Sequence, residues 1–147
     1  MAKKLIIIFG ILIFAVIGGN AGGNSWFGTG SILSLNINAG GTSWSGTGIM
    51  LVRISNHNSW RISANAVNAR GSRNIRLNYD NLEALHVRNK NSEGTVTLQL
   101  IQGNIKKDID ITGEFDENID TSDFEVGNVR IHIIFENARN VDFAVSW

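Results

Sequence analysis

Cysteine and proline are both absent from this chain of 147 residues. The lack of cysteine excludes disulfide bridges, zinc–thiolate sites, iron–sulfur clusters and a thiol nucleophile. The lack of proline excludes proline-rich linkers and collagen-like repeats. Charged residues make up only 18%, with 13 basic against 13 acidic, so the chain has neither a polyelectrolyte composition nor the basic surplus of a nucleic-acid binder. The length suits one ordered domain.

The N-terminus has the pattern of an export signal. Lys3 and Lys4 precede an apolar run from Leu5 to Ile17, and Gly19-Asn20-Ala21 fits the small-x-small rule for cleavage. As a helix this run would span about 20 Å, short of the ~30 Å hydrocarbon core of a membrane. We therefore predict a signal peptide at 1–21 and a secreted or cell-surface protein without a stable transmembrane span after cleavage. The alternative is an uncleaved membrane anchor.

The remaining residues, 22–147, are predicted to form a single domain rich in strands. Apolar and polar residues alternate with a period of two in most of it, for example Val129-Arg130-Ile131-His132-Ile133, as a sheet with one buried face requires. Turn residues recur at intervals of about 8–12 residues. The expected fold is an all-β antiparallel β-sandwich, jelly-roll-like or immunoglobulin-like, of eight to ten short strands, with a closed barrel second. The strands are placed at 31–37, 48–55, 60–67, 73–79, 84–89, 95–102, 105–112, 123–126, 129–136 and 140–147, with one helical turn at 80–85.

Each of the four tryptophans follows a serine, and two of them belong to a repeat. Ser25-Trp26-Phe27-Gly28-Thr29-Gly30 is echoed 18 residues later by Ser43-Trp44-Ser45-Gly46-Thr47-Gly48, and Ser59-Trp60 is a weaker echo. One interpretation places these rings in the core. The functional alternative is an exposed platform of Trp26, Trp44, Trp60 and Phe27 that contacts a glycan, another ligand or a protein partner.

The first part of the predicted domain carries no charged side chain from Gly22 to Val52. Strands without charge or proline lack the usual protection against edge-to-edge pairing. Such a segment is either covered within the fold or pairs with a second copy, and residues 22–30 are a candidate extended segment for that exchange. This predicts self-association into a homo-oligomer or fibre, or binding to another surface component.

Signals for metal binding and catalysis are weak. Asp116, Asn118 and Asp120 place oxygen ligands at alternate positions, which makes them a weak calcium candidate, although the rest of an EF-hand loop is missing. A solvated acidic turn is the competing interpretation. No Gly-x-Ser-x-Gly elbow or phosphate-binding loop is present, so we predict no enzymatic activity and no other cofactor.

Two segments resemble small secreted single-domain β-sandwich proteins of Gram-positive bacteria. These are the terminal strand Asn140 to Trp147, with its aliphatic-Ser-Trp ending, and Gly94 to Leu100. The resemblance implies a sandwich outside the membrane and no particular activity. The sequence thus favours a secreted, non-enzymatic, self-associating β-sandwich, with a carbohydrate- or ligand-binding module as the alternative.

Overall fold

The structure, a computed structural model, describes residues 26–27, 33–39, 42–49, 52–80, 82 and 85–147. Its elements are all strands, and they form one antiparallel sheet. In chain order they are β1 (Trp26–Phe27), β2 (Leu33–Ala39), β3 (Thr42–Ile49), β4 (Val52–Asn56), β5 (Ser59–Leu77), β6 (His86–Lys90), β7 (Glu93–Gln102), β8 (Ile105–Asp110), β9 (Glu114–Asn118) and β10 (Gly127–Ser146).

Two long strands organise the sheet. β5 and β10 have 19 and 20 residues and pair with each other along almost their whole length. On the free flank of β5, β4 pairs with residues 59–63 and β3 with residues 66–73. On the free flank of β10, β7 pairs with residues 130–139 and β6 with residues 142–146. Each long strand therefore pairs with two different short strands along its free flank, one in each half of its length.

The sheet is folded across its middle into two layers. Layer A comprises β2, β3, β7, β8 and the adjoining halves of β5 and β10, and layer B comprises β1, β4, β6, β9 and the other halves. The side chain of Arg73 shows the fold-back directly, because its Nη1 donates to the carbonyl of Ser59 at 2.8 Å, 14 residues earlier on the same strand. Fourteen residues of straight strand would span about 46 Å. The predicted antiparallel β-sandwich is confirmed.

The bend in β10 coincides with a break in its pairing register. The partners on β5 shift between Phe135 and Ala138, which marks a β-bulge. Asn137 and Asn140 both have a φ of 51°. Asparagine is among the few residues that adopt this left-handed conformation readily. The bulge therefore lets β10 leave layer A and enter layer B.

Four aromatic rings join the layers in the core. Phe135 lies 6.1 Å from Trp44 and 6.3 Å from Phe143 between ring centroids, and Phe143 lies 6.0 Å from Trp60. The last two contacts are edge-to-face, a favourable geometry for aromatic pairs. Both tryptophan rings pack against Gly71. A Cβ atom at this position would lie 2.6 Å from the Trp44 ring and 3.1 Å from the Trp60 ring. A residue without a side chain is needed there.

Several predicted strand boundaries are wrong. The segments 60–67 and 73–79 belong to one strand, and so do 129–136 and 140–147, because the strands bend without ending. The predicted strand 48–55 includes residues of both β3 and β4, with two residues between them that lie outside the described ranges, and 123–126 is not a strand. β9 contains Asp116 and Asn118, which the competing interpretation placed in an acidic turn. β2 and β3 pair with each other in antiparallel fashion, with Ala39 opposite Thr42.

No helix occurs among the described residues, and the helical turn predicted at 80–85 lies partly outside them. The part of the chain that the structure describes contains no helix with the length and hydrophobicity required to span a membrane. The predicted signal peptide, residues 1–21, lies outside the described residues.

Candidate ligand-binding site

The outer face of layer A is built from the polar half of the strand alternation. Across the sheet, Ser45 lies opposite Arg70, and Arg70 lies opposite Ile134. Asn68 precedes Arg70 by two residues and Glu136 follows Ile134 by two, so both belong to the same outer face. The alternation that buries Ala69 and Phe135 exposes their neighbours. One strand pattern thus supplies both the core and this surface.

A depression of about 340 Å³ lies in this outer face. Its size is at the lower end for small-molecule sites. Buried Ala69 and Phe135, directly opposite each other, point their side chains into the core and line the depression from below. Its rim consists of Ser45, Asn68, Arg70, Ile134 and Glu136. The register break of β10 begins at this point, so the depression lies where the flat pairing of the sheet ends.

The charges on the rim are separated. Among the described residues, neither Arg70 nor Glu136 forms an ion pair, with each other or with a third side chain, within 4.0 Å. Glu136 accepts a hydrogen bond from the Thr95 hydroxyl at 3.1 Å, which leaves further acceptor capacity on its carboxylate. Arg70 and Asn68 add hydrogen-bond donors, and Ile134 adds an apolar wall. A cation and an anion therefore face a shared space, each with bonding capacity in reserve.

Positive charge continues from the depression along β10. His132 and Arg130 lie two and four residues before Ile134 on the same outer face, and Lys106 approaches from β8. Burial lowers the pKa of His132, and the positive charges of Arg70, Arg130 and Lys106 lower it further. Its Nε2 is buried and has no hydrogen-bond partner among the described residues. The imidazole is therefore neutral near pH 7.

The structure does not place Trp44 and Trp60 on an exposed platform. Trp44 and Trp60 are 1% and 0% exposed and form the two ends of the aromatic row in the core. The alternation places both on the inward face, so the alternative interpretation, rings in the core, is confirmed for these two. Trp26 and Phe27 form β1, and their side chains lie outside what the structure describes. Trp147 is partly buried, and its ring lies 4.7 Å from the guanidinium carbon of Arg73.

The three calcium candidates face different partners. Asp116 and Asn118 lie on β9 and both contact His86, each at 2.8 Å. Asp120 instead pairs with Lys107 and accepts from the backbone N–H of Ser122. Among the described residues, no group of three or more His, Cys, Asp or Glu side chains is arranged to hold a metal ion. The calcium site stays a prediction from the sequence.

A second depression, of about 350 Å³, lies beside the loop after β9 and is lined by Leu82 and residues 118–122. Its polar side chains already have partners within the protein. Asn118 binds His86, Asp120 binds Lys107, and the Thr121 hydroxyl donates to the Leu82 carbonyl. The depression between Arg70 and Glu136 is the better candidate because its charged groups are less satisfied.

Sequence reasoning missed all of the rim residues. Ser45 was visible only as part of the tryptophan repeat, and Asn68, Arg70 and Glu136 carried no motif. The available signal was the polar phase of the alternation in β5 and β10, combined with a pairing register that one sequence does not reveal.

Comparison with known proteins adds one solved structure. TmCBM61, in complex with beta-1,4-galactotriose, is similar to this chain at 13% sequence identity and a TM-score of 0.35, over 72% of this chain and 78% of that one. A likeness of this size carries no argument about function. No protein-family model matches the chain, and no curated protein matches it.

Proposed function

We propose that this protein is a non-enzymatic, exported binding module that holds one ring of a carbohydrate in the depression between Arg70 and Glu136. The observation that carries the proposal is the separation of these two charges across a space of about 340 Å³. Sugar hydroxyls both donate and accept hydrogen bonds. A guanidinium and a carboxylate on opposite sides of a ring satisfy both roles, and charge-assisted bonds of this kind are the stronger ones. The proposal that the protein is exported rests on the signal-peptide pattern at residues 1–21 alone.

The apolar part of the site fits the same ligand. Sugar rings present C–H groups as well as hydroxyls, and Ile134 supplies a half-buried aliphatic surface on the rim. Ligand pockets commonly combine such a surface with a few well-placed polar groups. Here Asn68 and Ser45 supply additional amide and hydroxyl groups.

Titration calorimetry of the full chain with a panel of neutral oligosaccharides tests this proposal. The ligand found in the panel is then titrated into Glu136→Gln and Asn68→Ala. Each is expected to weaken binding about tenfold, the loss typical of one hydrogen bond to a charged or well-placed polar group. Arg61→Gln is the matched control, because Arg61 is an exposed β5 residue in layer B. Binding that survives both rim substitutions would refute the site.

Self-association through β2 is a second candidate, favoured by a separate observation. Among the described strands β2 pairs with β3 alone, and none of its residues is charged. β8 and β9, which pair only with β7 and β6, carry several charged residues each. Charged edges resist pairing with another chain, whereas an uncharged edge accepts it.

Light scattering on charge-bearing variants tests this second candidate. Asn36→Lys places a charge on β2 at a position opposite Ser45. If copies join through β2, this variant is expected to be monomeric where the unmodified chain is oligomeric. Ser63→Lys is the control, since Ser63 is exposed on a strand paired on both sides. Oligomers of equal size in all three proteins would exclude β2 as the contact.

A further inference from the structure

A row of nitrogen-bearing side chains leads away from the depression on the outer face of layer A. Arg70 stands on the rim, and His132 and Arg130 follow at successive outward positions of β10. Outward positions on a strand are about 7 Å apart, so the row extends about 14 Å from Ile134 to Arg130. A ligand longer than one sugar ring would therefore pass over this row.

Charged groups from the neighbouring strands surround the row. From β8, Lys106 is offset by Asp108 at 3.1 Å, and Asp110 accepts from the Thr112 backbone N–H. Beside the row, β7 contributes the uncharged residues Thr97, Gln99 and Ile101, with Gln99 directly opposite His132. Glu136 lies beyond the opposite end of the row and is held by Thr95.

The two arginines of the row have bonding capacity left over. Arg130 donates through Nε to Asn74 at 3.3 Å, a neutral partner, and Arg70 has no acidic partner among the described residues. Two guanidinium groups with further N–H donors therefore lie on either side of His132 in the row. A planar or tetrahedral oxyanion matches guanidinium donors in a bidentate manner.

From this arrangement we infer that the ligand is an acidic oligosaccharide, with a carboxylate or sulfate bound between Arg70 and Arg130 while the neighbouring ring occupies the depression. The inference rests on the proposed carbohydrate site and adds the chemical class of the ligand. It also fixes the direction in which the oligosaccharide lies across the sheet. Glu136 repels the acidic group at one end of the row and Arg130 attracts it at the other, so the acidic sugar lies on the Arg130 side.

Paired probes that differ only in charge test the inference on the full chain. Trigalacturonate and its methyl ester test the carboxylate, and dextran sulfate and dextran oligomers test the sulfate. An acidic probe is expected to bind at least tenfold more tightly than its neutral counterpart, and the preference is expected to fall as salt is raised. The pair that shows the larger preference identifies the acidic group.

Substitutions then locate the preference. Arg130→Gln and Arg70→Gln are each expected to reduce the ratio of the two dissociation constants about tenfold, whereas Arg61→Gln leaves it unchanged. Nuclear magnetic resonance supplies an independent signal. A bound anion stabilises the imidazolium form. The pH midpoint of the His132 titration is therefore expected to rise in the presence of the acidic probe, and His57 serves as the control.

The outcomes separate the two proposals. If neutral and acidic probes bind equally and Glu136→Gln weakens both, the sugar site stands and the acidic preference is refuted. If no probe binds, both proposals fail. If acidic probes bind equally well to the unmodified chain and to both arginine variants, the attraction lies elsewhere on the surface, and the inference is overturned.

Discussion

The inner and outer faces of layer A are made by the same strands yet differ in how fully their groups are satisfied. On the inner face, Trp44, Gly71 and Phe135 fit together so closely that a side chain added at Gly71 must displace a ring. On the outer face, Arg70 and Glu136 stand apart around a depression with bonding capacity unused. The difference indicates that stability is concentrated inside, whereas the outer face tolerates unpaired charges that a ligand can use. Substitutions on the two faces should therefore have very different effects.

The largest effect is expected from opening the aromatic row. Phe143→Ala removes the ring that contacts both Trp60 and Phe135, leaving a cavity between the layers. The loss should be about 3–5 kcal/mol of unfolding free energy. Urea unfolding followed by circular dichroism measures it. Ser146→Ala, three residues along on the outer face, should stay within about 0.5 kcal/mol. Equal losses at the two positions would remove the distinction between the faces.

A smaller effect is expected from adding one methyl group at Gly71. In Gly71→Ala the new Cβ would lie 2.6 Å from the Trp44 ring, so the ring must shift. Overpacking of this kind costs about 1–3 kcal/mol. A double-mutant cycle with Trp44→Phe measures the contact, since the smaller ring should recover part of the loss. Additive losses of unfolding free energy would show that the added methyl group does not clash with Trp44.

The sequence predicted which strand residues are buried better than it predicted where the strands begin and end. Alternation of Val129, Ile131 and Ile133 with polar residues correctly predicted which side of β10 is buried, because the period of two follows from strand geometry alone. It could not predict that β5 and β10 each continue through a bend, since a bulge at Asn137 looks like an ordinary turn in one sequence. The candidate site depends on register between distant strands. Asn68 and Glu136 line the same depression only because β5 pairs with β10.

A moderate, pH-dependent effect is expected at His132 on the outer face. Because burial and nearby cations lower its pKa, the unfolded chain binds a proton more readily than the folded one. Stability is therefore complete above the ordinary histidine pKa of about 6.5 and declines as the pH falls below it. Thermal unfolding between pH 8 and pH 5 measures the decline. His132→Gln should lose that part of the pH dependence, whereas His57→Gln, at an exposed position, should retain it.

The smallest effect is expected at Asp120, an exposed carboxylate that contacts Ser122 and Lys107. Hydrogen bonds from Ser122, with help from Lys107, lower the pKa of Asp120 to about 2. Its folded form therefore favours the carboxylate, and any contribution to stability is present above the ordinary aspartate pKa and lost as the pH falls toward 2. Carbon-13 titration of the Asp120 carboxyl should give a midpoint near 2. Lys107→Met should raise it only partly, because the Ser122 bonds remain. A midpoint near 4 in the unmodified chain would show that these surface contacts do not persist in solution.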